Sequence, residues 1–184
     1  MTRTHVWNAF PLAAAAASVA LWIVQTVCGK QHIPFTTFAD YLIEACFALS
    51  LATGALAVTT LRAAHATAPG WGRLGDAGAA LYGLGQALIL IPATVTLVAA
   101  DELPVPQTLF LPGFALWAAG TVLVAVGAYR AGVLPRPVAV LLPASFVLMV
   151  SLGEAGALVT AATWAVIGVR LRGGPPRNTE PVSE

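Results

Sequence analysis

Three carboxylates lie in or beside strongly apolar stretches of this 184-residue sequence and could carry chemistry. Asp40 and Glu44 are four residues apart and would share one face of a helix, while Glu154 begins a later apolar stretch. Ionisable side chains are costly inside a membrane, so those that occur there are candidates for function. If Glu154 approaches the other two, mutual repulsion and partial desolvation would keep one carboxyl group protonated, as general acid catalysis requires. We therefore predict Asp40, Glu44 and Glu154 as catalytic residues.

Amide and hydroxyl groups at membrane depth form a second candidate set. Tyr82 and Gln86 are also four residues apart, and Gln86 falls near the middle of its apolar stretch. Gln25 lies close to the end of the first stretch. A glutamine at such a depth either joins helices through a hydrogen bond or contacts a ligand. We predict Gln25, Tyr82 and Gln86 as substrate-binding residues and keep interhelical hydrogen bonding as the alternative.

Structural explanations stay open for several polar and aromatic residues. Acidic side chains in the first turn of a helix interact favourably with its dipole, which could account for Asp40, Asp76 and Glu154. Glu44 is harder to explain in this way because it lies one turn deeper. We interpret the five tryptophans as interface anchors and bulky packing residues that form no ligand cage: Trp7, Trp22, Trp71, Trp117 and Trp164.

The sequence indicates no metal ion and no cofactor. Cys28 and Cys46 form no CxxC motif, and we expect no bridge between them because Cys46 should lie more than one turn deeper. His32 and His65 are predicted in loops on opposite sides of the membrane, so they cannot share a metal ion. The sequence contains no HExxH, Walker, GxSxG or CxxCH motif.

The elements that must position these residues are membrane-spanning helices. With 58% apolar and 9% charged residues, the chain has too little polar surface to cover a water-soluble globule. Apolar stretches at residues 10–28, 40–61, 76–100 and 108–129 each approach or exceed the roughly 20 residues that a spanning helix needs. The first exceeds a signal-peptide core and is predicted to be a retained helix. Glycines within the stretches are predicted to let helices approach closely: Gly54, Gly83, Gly85, Gly120 and Gly127.

The last apolar stretch, residues 135–172, is too long for one crossing because a single helix would extend more than about 50 Å. We predict a break at the sequence SLGE, with helices at residues 135–152 and 154–171. Six helices place the arginine-containing loops and tail in the cytoplasm and leave only Lys30 outside, as the positive-inside tendency favours. Five helices, the fallback, would leave the arginines of the tail outside.

The sequence thus predicts an all-α fold, a polytopic membrane bundle of six transmembrane helices with both termini in the cytoplasm. Residues 1–172 are predicted to form a single transmembrane domain, and residues 173–184 a disordered cytoplasmic tail. The expected location is the inner (plasma) membrane, with the lipid bilayer as partner and a homo- or hetero-oligomer possible. Nucleic acid is not expected as a partner, since nine basic and eight acidic residues nearly balance.

One part of the sequence resembles a known group of proteins. The stretch GTVLVAVGAYRAGVLPRPVAVLLPASFVL resembles the small six-helix integral membrane proteins common in actinobacteria. In those proteins an arginine-containing turn followed by Leu-Pro-Arg often begins the next span. The resemblance covers the fourth and fifth segments and implies six helices, but it implies no site and no activity.

Three functions are compatible with these features. The first is to bind or translocate a lipophilic or cationic small molecule through an acidic opening on the outer side. The second is a cofactor-independent intramembrane cyclase or isomerase, in which Glu44 or Glu154 protonates an isoprenoid-like or polyketide-like substrate. The third is an accessory subunit of a membrane complex with no site of its own. We prefer the first because carboxylates cluster at the outer boundary.

Overall fold

The computed structural model describes residues 9–132 and 134–172. In these ranges all regular secondary structure is helical, and a single-turn helix at Pro104–Gln107 joins the third and fourth long helices. The six long helices are α1 Phe10–Cys28, α2 Phe38–His65, α3 Gly72–Ala99, α4 Phe110–Ala131, α5 Arg136–Leu152 and α6 Glu154–Arg172. The predicted all-α fold is confirmed. The tail at residues 173–184 lies outside the described residues.

Five of the long helices are long and apolar enough to cross a membrane. The exception is α5, which has 17 residues and extends about 25 Å, somewhat less than the roughly 30 Å of bilayer hydrocarbon. Large apolar side chains remain exposed along the outside of the bundle, as expected where lipid replaces water as the solvent. The chain is therefore a multi-pass membrane protein.

The break between α5 and α6 falls where the sequence predicts it. Gly153 separates the two helices with a φ of 56°, a conformation that costs glycine little. Gly156 then lies so close to the backbone of Met149 that a β-carbon would not fit. The helices therefore fold back on each other as a tight hairpin, and the prediction of two helices in this stretch is confirmed.

The six helices form a closed ring in which each helix packs against the next in sequence and α6 packs against α1. Leu12, in the first turn of α1, contacts Gly168, near the last turn of α6. The hydrogen bond from the Phe35 amide to the Ala100 carbonyl ties together the loops that follow α1 and α3. Neighbouring helices are thus antiparallel, and both ends of the described chain lie at the same end of the bundle.

This topology separates the charges. We name the end where α1, α3 and α5 finish the acidic end, and the opposite end the arginine end. Among the described residues, the charged side chains of the acidic end are Lys30, Asp40, Glu44, Asp101, Glu102 and Glu154, and those of the arginine end are Arg62, Arg73, Asp76, Arg130, Arg136, Arg170 and Arg172. The charge asymmetry predicted from the sequence therefore exists in three dimensions.

The closest helix pair is α3 and α4, whose backbones touch at glycines. A β-carbon on Gly85 would collide with the backbone of Trp117, and one on Gly120 with the backbone of Tyr82. Small residues allow such approach in membranes, where packing rather than exclusion of water holds helices together. Gly83 faces open space, so the prediction that it lies at a close contact is wrong.

The helix α2 continues one turn further than predicted. It ends at His65, whereas the apolar stretch ends at Leu61, because a helix can extend past the apolar zone once its neighbours bury the extra turn. The His65 side chain is fully buried beside Trp71, with the ring centroids 5.0 Å apart. The prediction that His65 lies in a loop is therefore wrong. In the same turn region, Arg62 Nε forms an ion pair with Oδ1 of Asp76 on α3 at 2.7 Å.

Candidate ligand-binding cavity and vestibule

A cavity of about 510 Å³ lies between the helices in the acidic half of the bundle, and we call it the central cavity. All six long helices contribute to its wall. Its size lies within the usual range of small-molecule sites, and its wall is mostly apolar, as such sites are. The aromatic members of the wall are Phe47, Phe114, Trp117, Phe146 and Trp164.

Three aromatic side chains close the central cavity toward the arginine end, and we call them the aromatic floor: Tyr82, Trp117 and Trp164. The ring of Tyr82 meets each tryptophan edge to face, with both centroid distances at 6.1 Å. Edge-to-face contacts of this kind are favourable and define ring orientation. The space beyond them, lined by Thr121, Leu142 and Ser145, measures only about 10 Å³, so the cavity ends at these three rings.

Gln86 supplies the most deeply buried amide of the cavity wall. The residue is 3% exposed, and its Nε2 donates a hydrogen bond to the Tyr82 hydroxyl at 3.3 Å. Its Oε1 has no hydrogen-bond partner among the described residues. Gly54 of α2 makes room for the amide, because a β-carbon there would lie 2.7 Å from Oε1. Because an unpaired buried acceptor is costly, a rotation of the amide that brings this oxygen to the donor of a ligand in the cavity would be favourable.

A second cavity of about 300 Å³, which we call the vestibule, lies at the acidic end. Glu44 and Glu102 line it, and Gln31 donates a hydrogen bond to the Glu44 carboxylate at 3.0 Å. Gln25 and Phe47 line both the vestibule and the central cavity, so the two spaces adjoin. The arrangement offers a negatively charged approach to an apolar interior.

An aromatic series on α4 leads from one space to the other. Phe110 lines the vestibule, Phe114 the central cavity, and Trp117 belongs to the aromatic floor. Successive rings are stacked, with centroids 6.2 Å and 5.9 Å apart. Their spacing of four and three residues puts them on one helix face.

Asp40, unlike Glu44, lines neither the central cavity nor the vestibule and is only 1% exposed. Its carboxylate accepts hydrogen bonds from the backbone amides of His32, Thr36 and Thr37 and from the Thr37 hydroxyl. With Thr37 it forms a capping box at the start of α2. Every one of these contacts holds the loop before α2, so the geometry supports an anchoring role for Asp40.

Glu154 is exposed at the first turn of α6, at the acidic end. It lines neither the central cavity nor the vestibule, and it forms no hydrogen bond or ion pair with a described residue. The structure therefore brings Gln25, Glu44, Tyr82 and Gln86 to one connected site, and it places Asp40 and Glu154 around that site rather than in it.

The sequence missed the aromatic wall. The sequence indicates that Trp117 and Trp164 are anchors or packing residues, whereas in the structure both line the central cavity. The repeat of Phe110, Phe114 and Trp117 on one helix face is the signal that could have revealed it. Gln31 in a loop and Gln107 at the end of the single-turn helix also line the vestibule, and the sequence carries no such signal for them.

No protein-family model matches this sequence, and neither a curated protein nor a solved structure is significantly similar to it. The fold and the site together define a class: a multi-pass helical membrane protein with an internal, aromatic-lined cavity.

Proposed function

We propose that the protein binds a small lipophilic molecule with a hydrogen-bond donor in the central cavity, and that the ligand enters through the vestibule. The observation that carries this proposal is the unpartnered Oε1 of Gln86 in a buried aromatic cavity. The aromatic wall favours a flat apolar body, and Gln86 favours a hydroxyl or amine group pointing toward the floor.

The carboxylates of the vestibule favour a ligand that carries a positive charge. Glu44 lies at the vestibule wall within hydrogen-bond reach only of Gln31 among the described residues, and Glu102 adds a second negative charge. In a partly desolvated space such charges attract cations more strongly than at an open surface. We therefore expect lipophilic cations to be admitted more readily than lipophilic anions.

Binding is better supported than passage through the membrane. The aromatic floor closes the central cavity, and tightly packed residues fill the bundle beyond it. Translocation would require Tyr82 to separate from Trp117 and Trp164. An acid-catalysed cyclase would need its carboxylic acid beside the substrate, but the described residues of the cavity wall include no Asp or Glu.

We further propose that the acidic end faces the outside of the cell membrane and that both termini are cytoplasmic. The support is the collection of arginines at one end of the bundle, where positively charged residues favour the cytoplasmic side. The ligand would then reach the vestibule from outside. The sequence resemblance to six-helix membrane proteins of actinobacteria agrees with this topology and adds no activity.

Two naphthalene probes test the role of Gln86: 1-naphthol, which can donate a hydrogen bond, and 1-methoxynaphthalene, which has an added methyl group and cannot. With the purified protein in detergent, calorimetric titration should show that naphthol binds roughly five- to tenfold more tightly. Gln86→Leu should remove that difference. Gln107→Leu is the matched control, because the Gln107 amide lies in the vestibule and bonds Thr96. Equal affinities for both probes in the unaltered protein would contradict the proposal.

A third probe, protonated 1-naphthylmethylamine, tests the vestibule. Glu44→Gln should slow its association on the order of tenfold at low salt and leave the association rate of 1-naphthol unchanged, because only the amine carries charge. If stopped-flow fluorescence shows an unchanged association rate for the amine in Glu44→Gln, Glu44 has no part in admitting the ligand.

A further inference from the structure

A groove of about 350 Å³ lies on the outer surface between α4 and α5, near the arginine end, and we call it the lateral groove. It is separate from the central cavity and shares no lining residue with it. Its wall is apolar over most of its extent and consists there of Val122, Ala125, Val126, Val140 and Pro143. Because it faces the bilayer, its apolar part is in contact with lipid chains.

Polar groups occur at one end of the lateral groove. Tyr129 and Arg130, in the last turn of α4, complete its lining. The guanidinium of Arg136, at the start of α5, lies over the Tyr129 ring, 5.2 Å from its centroid. This contact holds Arg136 beside the end of the groove.

Neither Arg130 nor Arg136 is neutralised by a carboxylate of a described residue. The ion pairs among the described residues are His32 with Asp40 and Arg62 with Asp76, so Arg130 and Arg136 have no acidic partner among those residues. Two uncompensated guanidinium groups attract an anion, and guanidinium binds phosphate oxygens in a bidentate manner. The groove thus combines an anion-binding end with an apolar channel in the membrane.

We propose that the lateral groove binds one anionic phospholipid, with its phosphate at Arg130 and Arg136 and one acyl chain along the groove. The charge of the arginine pair selects an anionic headgroup over a zwitterionic one. The position of the groove on the lipid-facing surface selects a lipid over a soluble anion, because a free phosphate would leave the apolar part unfilled. This site is independent of the central cavity.

Native mass spectrometry of the purified protein tests the proposal with phosphatidylglycerol and phosphatidylcholine of identical acyl chains. The unaltered protein should retain one phosphatidylglycerol with on the order of tenfold preference. The double variant Arg130→Gln/Arg136→Gln should lose that preference. The matched control, Arg170→Gln/Arg172→Gln, removes the same charge at the same end and should keep it.

A second pair of variants tests the acyl part of the site. Val126→Trp should occlude the lateral groove and reduce retention of phosphatidylglycerol, whereas Val166→Trp, on the exposed face of α6, should not. This pair keeps the proposal testable if the arginine variants fold poorly. Equal loss in the groove and control variants, or equal competition by inorganic phosphate at the phospholipid's concentration, would overturn the proposal.

Discussion

The two halves of the helix bundle differ in how side chains fill the space between helices. Toward the arginine end the core is solid, with side chains from four helices that are 0% exposed: Ala57, Val58 and Leu61 of α2, Val124 and Ala128 of α4, Ala139 of α5, and Ile167 of α6. Toward the acidic end the same helices enclose the central cavity and the vestibule. In lipid, packing holds helices together, so the solid half can stabilise a bundle whose other half is hollow.

The two halves also differ in their hydrogen bonds. Close contacts at glycines bring α3 and α4 together in both halves, as with Gly78 against Val124 and Gly113 against Gly85. In the acidic half, hydrogen bonds hold loops over the vestibule, and Asp40 accepts most of them. The contrast indicates that stability and ligand binding depend on separate sets of residues.

The largest expected effect comes from the same bulky substitution in each half. Ala57→Phe should lower the free energy of unfolding by about 3 kcal/mol, because its ring has no space in the solid core. Ser50→Phe, one of the cavity-lining positions, should cost less than about 1 kcal/mol while abolishing binding of 1-naphthol. Unfolding in mixed detergent micelles measures the first quantity and calorimetry the second. Similar destabilisation by both variants would show that the acidic half is not hollow.

An intermediate effect is expected from removing the loop anchor. Asp40→Ala leaves the backbone amides of His32, Thr36 and Thr37 without their acceptor and should cost about 2 kcal/mol of unfolding free energy. Glu44→Gln, one turn further along α2, should change stability by less than about 0.5 kcal/mol, since glutamine can still accept the bond from Gln31. The same unfolding measurement compares the two variants. A larger loss of unfolding free energy in Glu44→Gln than in Asp40→Ala would show that Asp40 is not the main anchor of the loop.

The smallest effect concerns the position of one amide. Gly54→Ala should push the Gln86 amide aside, because the added carbon would lie 2.7 Å from Oε1. We expect about threefold weaker binding of 1-naphthol, with the unfolding free energy changed by less than about 0.5 kcal/mol. Gly83→Ala is the control, since Gly83 faces open space and should leave the calorimetric affinity unaltered. Unchanged affinity for 1-naphthol in Gly54→Ala would show that Gln86 does not contact the ligand.

The sequence predicted the framework well because apolar length and charge asymmetry are local properties. The bounds of α1 at Phe10–Cys28 agree with the structure, and so does the break at Gly153 between α5 and α6. The sequence does not reveal the end of α2 at His65, because burial of that turn depends on Trp71, the residue that directly precedes α3. Helix ends set by tertiary contacts are not visible in hydropathy.

The candidate site was partly predictable for a similar reason. A polar residue such as Gln86 or Glu44 is conspicuous in an apolar segment, and both line the connected site. A tryptophan such as Trp117 or Trp164 is not conspicuous, since aromatic residues also fill cores and mark interfaces. Only the packing of all six helices shows that these rings surround empty space.

Cysteine alkylation tests most directly the central claim that the cavity is open to the acidic end and closed by the aromatic floor. In a background of Cys28→Ser and Cys46→Ser, the Ser50→Cys variant places a thiol in the cavity wall and the Thr121→Cys variant places one beyond the floor. A membrane-impermeant maleimide applied outside intact cells should react at position 50 at least about tenfold faster than at position 121, and 1-naphthol should block that reaction. Equal rates at the two positions, or reaction at position 50 only from the cytoplasmic side, would contradict the account.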